Sequence, residues 1–163
     1  MSKRELVSLS SVEMRRRIGT KEISPVELLE ACLARIEEVN PAVNAVTAMC
    51  VARARKEAKA AETAVRRGEE LPLLHGLPTG IKDLEETKDL LTTYGSPLYR
   101  SHVPAQDGAM VARVRAQGAV VVAKTNTPEF STSWGRLCGS SANSPRHSPM
   151  LKRPSMPFAK PTT

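Results

Sequence analysis

Leu73-Leu-His-Gly-Leu-Pro-Thr-Gly-Ile-Lys-Asp83 combines two glycines, a proline and a short apolar run with a single lysine. Its two glycines allow tight turns and close backbone approach, while Leu77 and Ile81 hold the segment inside. Most lysines lie on solvated faces, so one interpretation of Lys82 is a surface charge. The other interpretation is a strand that carries Lys82 inward. Burial would then disfavour its charged form and make the amine a proton acceptor.

Helical patterns occupy the chain before this stretch. Ser24 is typical of an N-cap, Pro25 of a first helical residue and Glu27 of a capping-box partner. The third helical pattern is rich in alanine, which allows close packing. The sequence therefore predicts three helices, which run from Ser10 to Gly19, from Ser24 to Asn40-Pro41, and from Met49 to Arg67 with a stop at Gly68.

Strand patterns alternate with a helix after the central stretch. We expect a strand from Thr79 to Lys82, a loop or short turn over 85–91, and a helix that is capped by Asp107 and ends at Gly118. The run from Ala119 to Lys124 is β-branched without alternation, which is typical of a strand covered on both faces. These patterns predict an α/β fold, with amino-terminal helices followed by a sheet flanked by helices.

Composition places the chain among soluble globular proteins, since 40% of its 163 residues are apolar and 25% are charged. No apolar run approaches the length of a membrane span, and the start of the chain lacks the apolar core of a secretory signal. We expect a cytoplasmic protein with reduced thiols and no metal site, because its cysteines and histidines are scattered. They are Cys32, Cys50, Cys138, His75, His102 and His147.

The net charge of +7 is concentrated at one end of the chain. All 17 acidic residues lie at or before Glu129, whereas 130–163 contains only basic charges. Aromatic residues make up 3% of the chain and offer few stacking platforms for single strands. We therefore expect no specific nucleic-acid partner, only nonspecific attraction by the tail.

Three stretches of the sequence resemble the amidase signature family, in that family's order. They are His75 to Asp83, Thr92 to Pro97 (Thr-Thr-Tyr-Gly-Ser-Pro), and Gly118 to Phe130 (Gly-Ala-Val-Val-Val-Ala-Lys-Thr-Asn-Thr-Pro-Glu-Phe). With the helical region before them, the resemblance covers about 5–135. It implies a mixed sheet surrounded by helices, and that 1–143 is the amino-terminal part of an amidase domain.

The resemblance also implies a chemistry. Amidase signature enzymes hydrolyse a small-molecule amide with a Ser, cis-Ser, Lys triad and need no cofactor; a backbone oxyanion hole assists them. Lys82 matches the family's catalytic lysine. Asp83, Thr93, Gly95 and Ser96 match positions that help to shape that region. An exposed acid at 83 and an ordinary turn over 93–96 remain alternatives for these supporting residues.

Neither of the family's serines has a match in the sequence. The Gly-Gly-Ser-Ser-Gly-Gly stretch and the later Gly-Ser stretch are absent. Gly139-Ser140-Ser141 is followed by Ala142-Asn143 and is interpreted as the segment that connects to the signature. A lysine without a nucleophile has nothing to activate, so we expect this chain to be inactive alone.

The segment 144–163 has a different composition. It contains five of the 12 prolines and no acidic residue, which predicts a disordered, Pro-rich basic tail. One hypothesis is a reading-frame shift near 142–150, which resequencing the DNA from the codon for Phe130 onward would reveal. The other is a genuine tail that serves as a linker or docking segment.

Three functions stay open on these patterns. The chain is an amidase portion, a non-catalytic binding fragment, or a piece of an amidase-type amidotransferase subunit. The segment Thr-Thr-Tyr-Gly-Ser-Pro favours a general amidase. We also expect exposed sheet edges, which would make the fragment marginally stable and prone to self-association.

Overall fold

A computed structural model describes residues 1–128, in which helices and strands alternate around a small mixed sheet. The predicted α/β fold is confirmed. The helices are α1 (Lys3–Ser8), α2 (Ser11–Gly19), α3 (Pro25–Val43), α4 (Val51–Arg67) and α5 (Ala109–Ala116). The strands are β1 (Val46–Met49), β2 (Pro78–Lys82) and β3 (Val120–Thr125), and a 3-10 turn covers Pro97–Tyr99.

Several predictions concern residues outside the described range of 1–128. They are the domain boundary at 143, the interpretation of Gly139-Ser140-Ser141, the frame-shift hypothesis, the tail over 144–163, and the state of Cys138.

Strand β3 is the centre of the sheet, whose order is β1-β3-β2. It pairs with β1 antiparallel and with β2 parallel, so that Val46 lies opposite Thr125 and Ile81 lies opposite Lys124. Its residues from 120 to 124 are all buried. The prediction of a strand covered on both faces is therefore confirmed, and the reason is that helices pack against each side of it.

Alternation along β3 supplies two separate cores. Val120 and Val122 pack with Leu29 of α3 and with Ala54 and Ala58 of α4. On the opposite face Val121 packs with two residues of β2 and α5, Ile81 and Val111. A third cluster joins the amino-terminal helices to the segment before β2, and it consists of Leu6, Ile18, Ile23, Leu28, Ala31, Val65 and Leu77.

Helix α3 begins as predicted, with Ser24 as N-cap and Pro25 as its first residue, but within the described residues the Glu27 side chain forms no capping box and the end of the helix differs. Ser24 Oγ accepts from the backbone N–H of Val26 at 3.0 Å and donates to Glu62 at 2.5 Å. The helix then continues past Pro41 to Val43. The predicted stop is wrong because a proline in the last turn removes only one intrahelical hydrogen bond. The chain leaves the helix at Asn44, whose φ is 48°.

Two elements were absent from the expectations. Helix α1 begins after Ser2, which forms a reciprocal capping box with Glu5. Strand β1 is short and includes Met49, so α4 begins at Val51 instead of Met49. The side chain of Asn40 pairs with both the N–H and the C=O of Val46, at 2.8 and 3.0 Å, and this starts the strand.

The cap of α5 also differs from the expectation. Gly108 is the N-cap, and no side chain binds the first turn. The carboxylate of Asp107 instead accepts from the backbone N–H of Lys88 at 2.8 Å and lies 3.0 Å from Arg115 Nε. Asp107 therefore joins the loop before α5 to the helix itself, which is a tertiary role that local spacing does not reveal.

Candidate functional site

Lys82 is the last residue of β2, at the end of the sheet where the parallel strands β2 and β3 both finish. It lies opposite Thr125 in the register of the two strands. Ligands in α/β proteins bind at the carboxyl ends of such strands. The residue that matches the family's catalytic lysine therefore lies at the end of the sheet where a ligand-binding site is expected.

The side chain of Lys82 is exposed, as the surface interpretation expects, and the interpretation in which β2 carries it inward is wrong. Side chains alternate along a strand. Ile81 is only 3% exposed and takes the inward position against Val121 and Val111. The neighbouring lysine necessarily points to the other side, which is open within residues 1–128.

Asp83 follows Lys82 and is buried, with 1% of its surface exposed. Its backbone N–H donates to Thr125 O at 2.9 Å, which extends the pairing of β2 with β3. Its carboxylate accepts from Thr93 N at 2.9 Å and from Thr93 Oγ1 at 2.5 Å. The interpretation of Asp83 as an exposed acid is therefore wrong, because this side chain anchors the 93–96 turn to the sheet.

The segment 93–96 is a turn that packs against the chain just beyond β3. Tyr94 and Gly95 have φ values of 55° and 71°. A Cβ on Gly95 would lie 2.8 Å from Thr127 O, so only glycine fits there. Ser96 is buried and caps the following 3-10 turn by accepting from Leu98 N at 3.4 Å. Residues 82, 83 and 93–96 thus lie together at the carboxyl end of β2 and β3.

Lys124 is the buried lysine of this region, and the sequence reasoning did not single it out. It is 0% exposed. Its Nζ donates to the carbonyl of Glu85 and to Thr87 Oγ1, the latter at 3.1 Å, and lies 4.0 Å from Asp83 Oδ1. Burial lowers the pKa of Lys124 to about 8, although the negative charges of Asp83, Glu85 and Glu86 raise it. A charged residue inside an uninterrupted β-branched run was the signal that could have identified it.

An aromatic cluster adjoins the turn. Tyr94 OH donates to Glu86, and His102 Nε2 lies 3.3 Å from the same carboxylate oxygen. These contacts, that of Tyr94 first, hold the pKa of Glu86 below its usual range. The ring of Tyr94 lies 4.9 Å from that of Tyr99 and stacks on His102 at 5.9 Å. The cluster fixes the loop that carries the turn.

The remaining polar groups of residues 1–128 do not build a metal centre. In that part of the chain no three His, Cys, Asp or Glu side chains are grouped so that they could hold a metal ion. His75 is buried and places Nε2 3.0 Å from Ala61 O. Cys32 and Cys50 are free and half-buried. Among the helices of the described range, none is long and apolar enough to cross a membrane.

Solved structures resemble this arrangement over about three quarters of the chain. The peptide amidase from Stenotrophomonas maltophilia is 31% identical, with a TM-score of 0.69, and the match covers 74% of this chain and 25% of that one. A vestigial protein complex that bears on the evolutionary origins of an s-triazine catabolic enzyme contains a chain 35% identical, with a TM-score of 0.72. That match covers 75% of this chain and 27% of the other.

Sequence comparison leads to the same family. A glutamyl-tRNA(Gln) amidotransferase subunit from Anaeromyxobacter dehalogenans is 40% identical over 146 residues, which are 90% of this chain and 29% of the relative. The chain thus spans less than a third of the length of such curated relatives. The family model named Amidase matches residues 27–146. The chain belongs to the amidase, or amidase signature, family.

Proposed function

We propose that these residues are the lysine-bearing part of a site that hydrolyses a carboxylic amide, with Lys82 as its proton acceptor. One observation carries the proposal. Within a chain of the amidase family, Lys82 lies at the carboxyl end of β2, beside the end of the parallel strand β3, and is followed directly by the buried anchor Asp83. This location leaves the Lys82 amine accessible to a substrate or to a further segment of protein.

Lys82 would begin the reaction by accepting a proton. In the family's mechanism the proton passes from the nucleophilic serine through a bridging serine to the lysine amine. The serine oxygen then attacks the amide carbon, the C–N bond breaks, and the amine leaves with a proton. Water finally hydrolyses the acyl-enzyme and releases the acid. The site therefore needs two serines in addition to the residues described above.

A chimera tests the role of Lys82. Residues 1–128 replace the matching segment of the Stenotrophomonas maltophilia peptide amidase, and hydrolysis of a peptide amide is followed. Lys82→Ala should lower kcat by about 10²- to 10⁴-fold, the range that a general base contributes. Lys88→Ala is the matched control, because Lys88 is an exposed lysine six positions further along the chain. Equal kcat values for the two variants would rule out Lys82 as the base.

The 163-residue chain alone is proposed to be inactive, because its sequence lacks the signature stretch that supplies the serines. Purified chain should release no ammonia or amine from peptide amides or aryl amides above the rate of a buffer blank. Turnover that disappears in Lys82→Ala would contradict this proposal, because it would show that Lys82 works with a nucleophile supplied by the chain itself.

A second candidate function is that of a piece of an amidotransferase subunit. The observation in its favour is the set of curated relatives that are named as subunits of glutamyl-tRNA(Gln) amidotransferase. Subunits work with other chains, so this candidate implies a protein partner in the cytoplasm. Ammonia transfer to glutamyl-tRNA(Gln) by a chimera with such a relative would favour it, whereas hydrolysis of simple amides alone would favour a general amidase. Stoichiometric binding of a partner without either activity would favour a binding fragment.

A further inference from the structure

Lys124 is a buried side chain for which the proposed reaction has no use. It extends from the central strand β3, yet within residues 1–128 its side-chain hydrogen bonds go to the loop that follows β2. Nζ donates to the backbone carbonyl of Glu85 and to the hydroxyl of Thr87. One side chain thus connects the middle of the sheet to the first turn after Lys82.

The same amine also faces Asp83, and Asp83 in turn binds the 93–96 turn. Lys124 Nζ lies 4.0 Å from Asp83 Oδ1. That oxygen also accepts from the backbone N–H of Thr93 at 2.9 Å. Asp83 and Lys124 are both almost fully buried, so water does not screen their attraction strongly. The order of the turn therefore depends on a chain of contacts that begins at Lys124.

Three acidic groups face the amine, and all of them belong to the loop after β2. Asp83, Glu85 and Glu86 each favour its charged form, while burial opposes that form more strongly. Glu86 is itself engaged by Tyr94 and His102. Opening of the loop would expose the Lys124 amine to water, and burial would then no longer disfavour its charged form.

We propose that Lys124 is a positioning residue, whose buried amine holds the loop after Lys82 and, through Asp83, the 93–96 turn against the end of the sheet. The inference rests on the proposed function only in naming Lys82 as the group that the loop supports. Amide exchange at Thr93 N–H reports the closed loop, because this group is bound to Asp83.

Loop closure should be linked to pH with a definite sign. The pKa of Lys124 is about 8 when the loop is closed and returns to 10.5, the ordinary value of a lysine, when it is open. The open form therefore binds more protons than the closed form between these values, and closure strengthens as pH rises. From pH 7 to pH 9 the opening constant of the loop should fall about tenfold, as proton linkage requires.

The experiment measures hydrogen exchange at Thr93 in the full chain, corrected for the intrinsic exchange rate at each pH. In the wild type, protection should rise about tenfold from pH 7 to pH 9. Lys124→Met should lose protection at Thr93 by roughly tenfold at pH 9 and show no dependence on pH. The backbone N–H of Cys50 donates to Val122 O at 2.9 Å and is not part of the loop. Its protection should be the same in the variant and the wild type, which shows that the variant is folded.

Lys88→Met is the matched control and should behave like the wild type, because this lysine of the same loop is exposed. Constant or falling protection in the wild type from pH 7 to pH 9 would overturn the proposal without any variant. Equal protection in Lys124→Met and Lys88→Met would also overturn it. Lys82→Met should retain the protection of Thr93, so failure of Lys82 as a catalytic base and failure of Lys124 as a positioning residue give different results.

Discussion

Asp83 connects the 93–96 turn, strand β3 and Lys124, and it is one of the supporting residues identified from the sequence. Its carboxylate receives two hydrogen bonds from Thr93, and its backbone N–H continues the ladder between β2 and β3. Lys124 supplies a positive charge 4.0 Å away. A neutral side chain at this position would leave that buried charge without its nearest counter-charge, which is more costly than loss of an exposed ion pair.

Asp83→Asn should lower the free energy of unfolding at pH 7 by about 1–3 kcal/mol, the cost of an unsatisfied buried polar partner. Urea unfolding at pH 7 measures this loss. Asp89→Asn is the control, since Asp89 is exposed and its φ of 56° suits asparagine. A stability of Asp83→Asn that matches that of the control would show that the buried charge of Lys124 does not require Asp83.

Strands β2 and β3 approach each other closely at Gly80, where the register shifts. A Cβ on Gly80 would lie 2.8 Å from Thr125 Cγ2, although the backbone of Gly80 itself is not in the left-handed region. Thr125 is β-branched, so its methyl group cannot easily rotate away. Only glycine allows β2 to end beside β3 with the observed register, and this position lies two residues before Lys82.

Gly80→Ala should destabilise the chain by about 1–3 kcal/mol through overpacking. Thr125→Ser removes the methyl group that the new Cβ would meet, so the double variant should recover more than half of the loss. The free energies of unfolding of the two single variants and the double variant form a cycle that isolates the contact. Additive losses would mean that the strain of Gly80→Ala comes from another neighbour.

The described part of the molecule leaves two sheet edges open. Within residues 1–128, β1 and β2 each pair with β3 on one side and with no strand on the other. Edge strands are protected from association by charge and proline. Strand β2 begins at Pro78 and ends at the exposed Lys82, whereas β1 has neither device and exposes 39% of Met49. Self-association, if it uses these edges, should therefore use β1.

Met49→Lys should weaken self-association of the purified chain, because a charge on an edge strand opposes pairing with a second copy. Sedimentation equilibrium should show a mass that rises with concentration in the wild type, and this rise should move to several-fold higher concentration in the variant. Met110→Lys is the control, since Met110 is 41% exposed but lies on α5. A wild type that stays monomeric, or equal effects of both substitutions, would refute pairing through β1.

Elements whose signals are local could be predicted from the amino-acid sequence. The Ser24-Pro25 start of α3, the stop of α4 at Gly68 and the buried strand from 120 onward are all present in the structure. Caps and glycine stops act within one turn of chain, and a continuous β-branched run is covered on both faces wherever it lies. The resemblance of three stretches was enough to identify the family, while the catalytic role of Lys82 stays a prediction.

Which of the two lysines is buried depends on tertiary packing. Lys82 and Lys124 each follow an apolar residue near the end of a strand, and the β-branched run before Lys124 does not specify where that side chain lies. Lys124 extends from the central strand β3 under the 83–87 loop, where Glu85, Thr87 and Asp83 receive it, whereas Lys82 alternates with the buried Ile81 on an edge strand. Strand β1 and the contact of Asp83 with Thr93 were also invisible, because each depends on partners distant in the chain. Burial is a property of neighbours in space, and local sequence does not specify those neighbours.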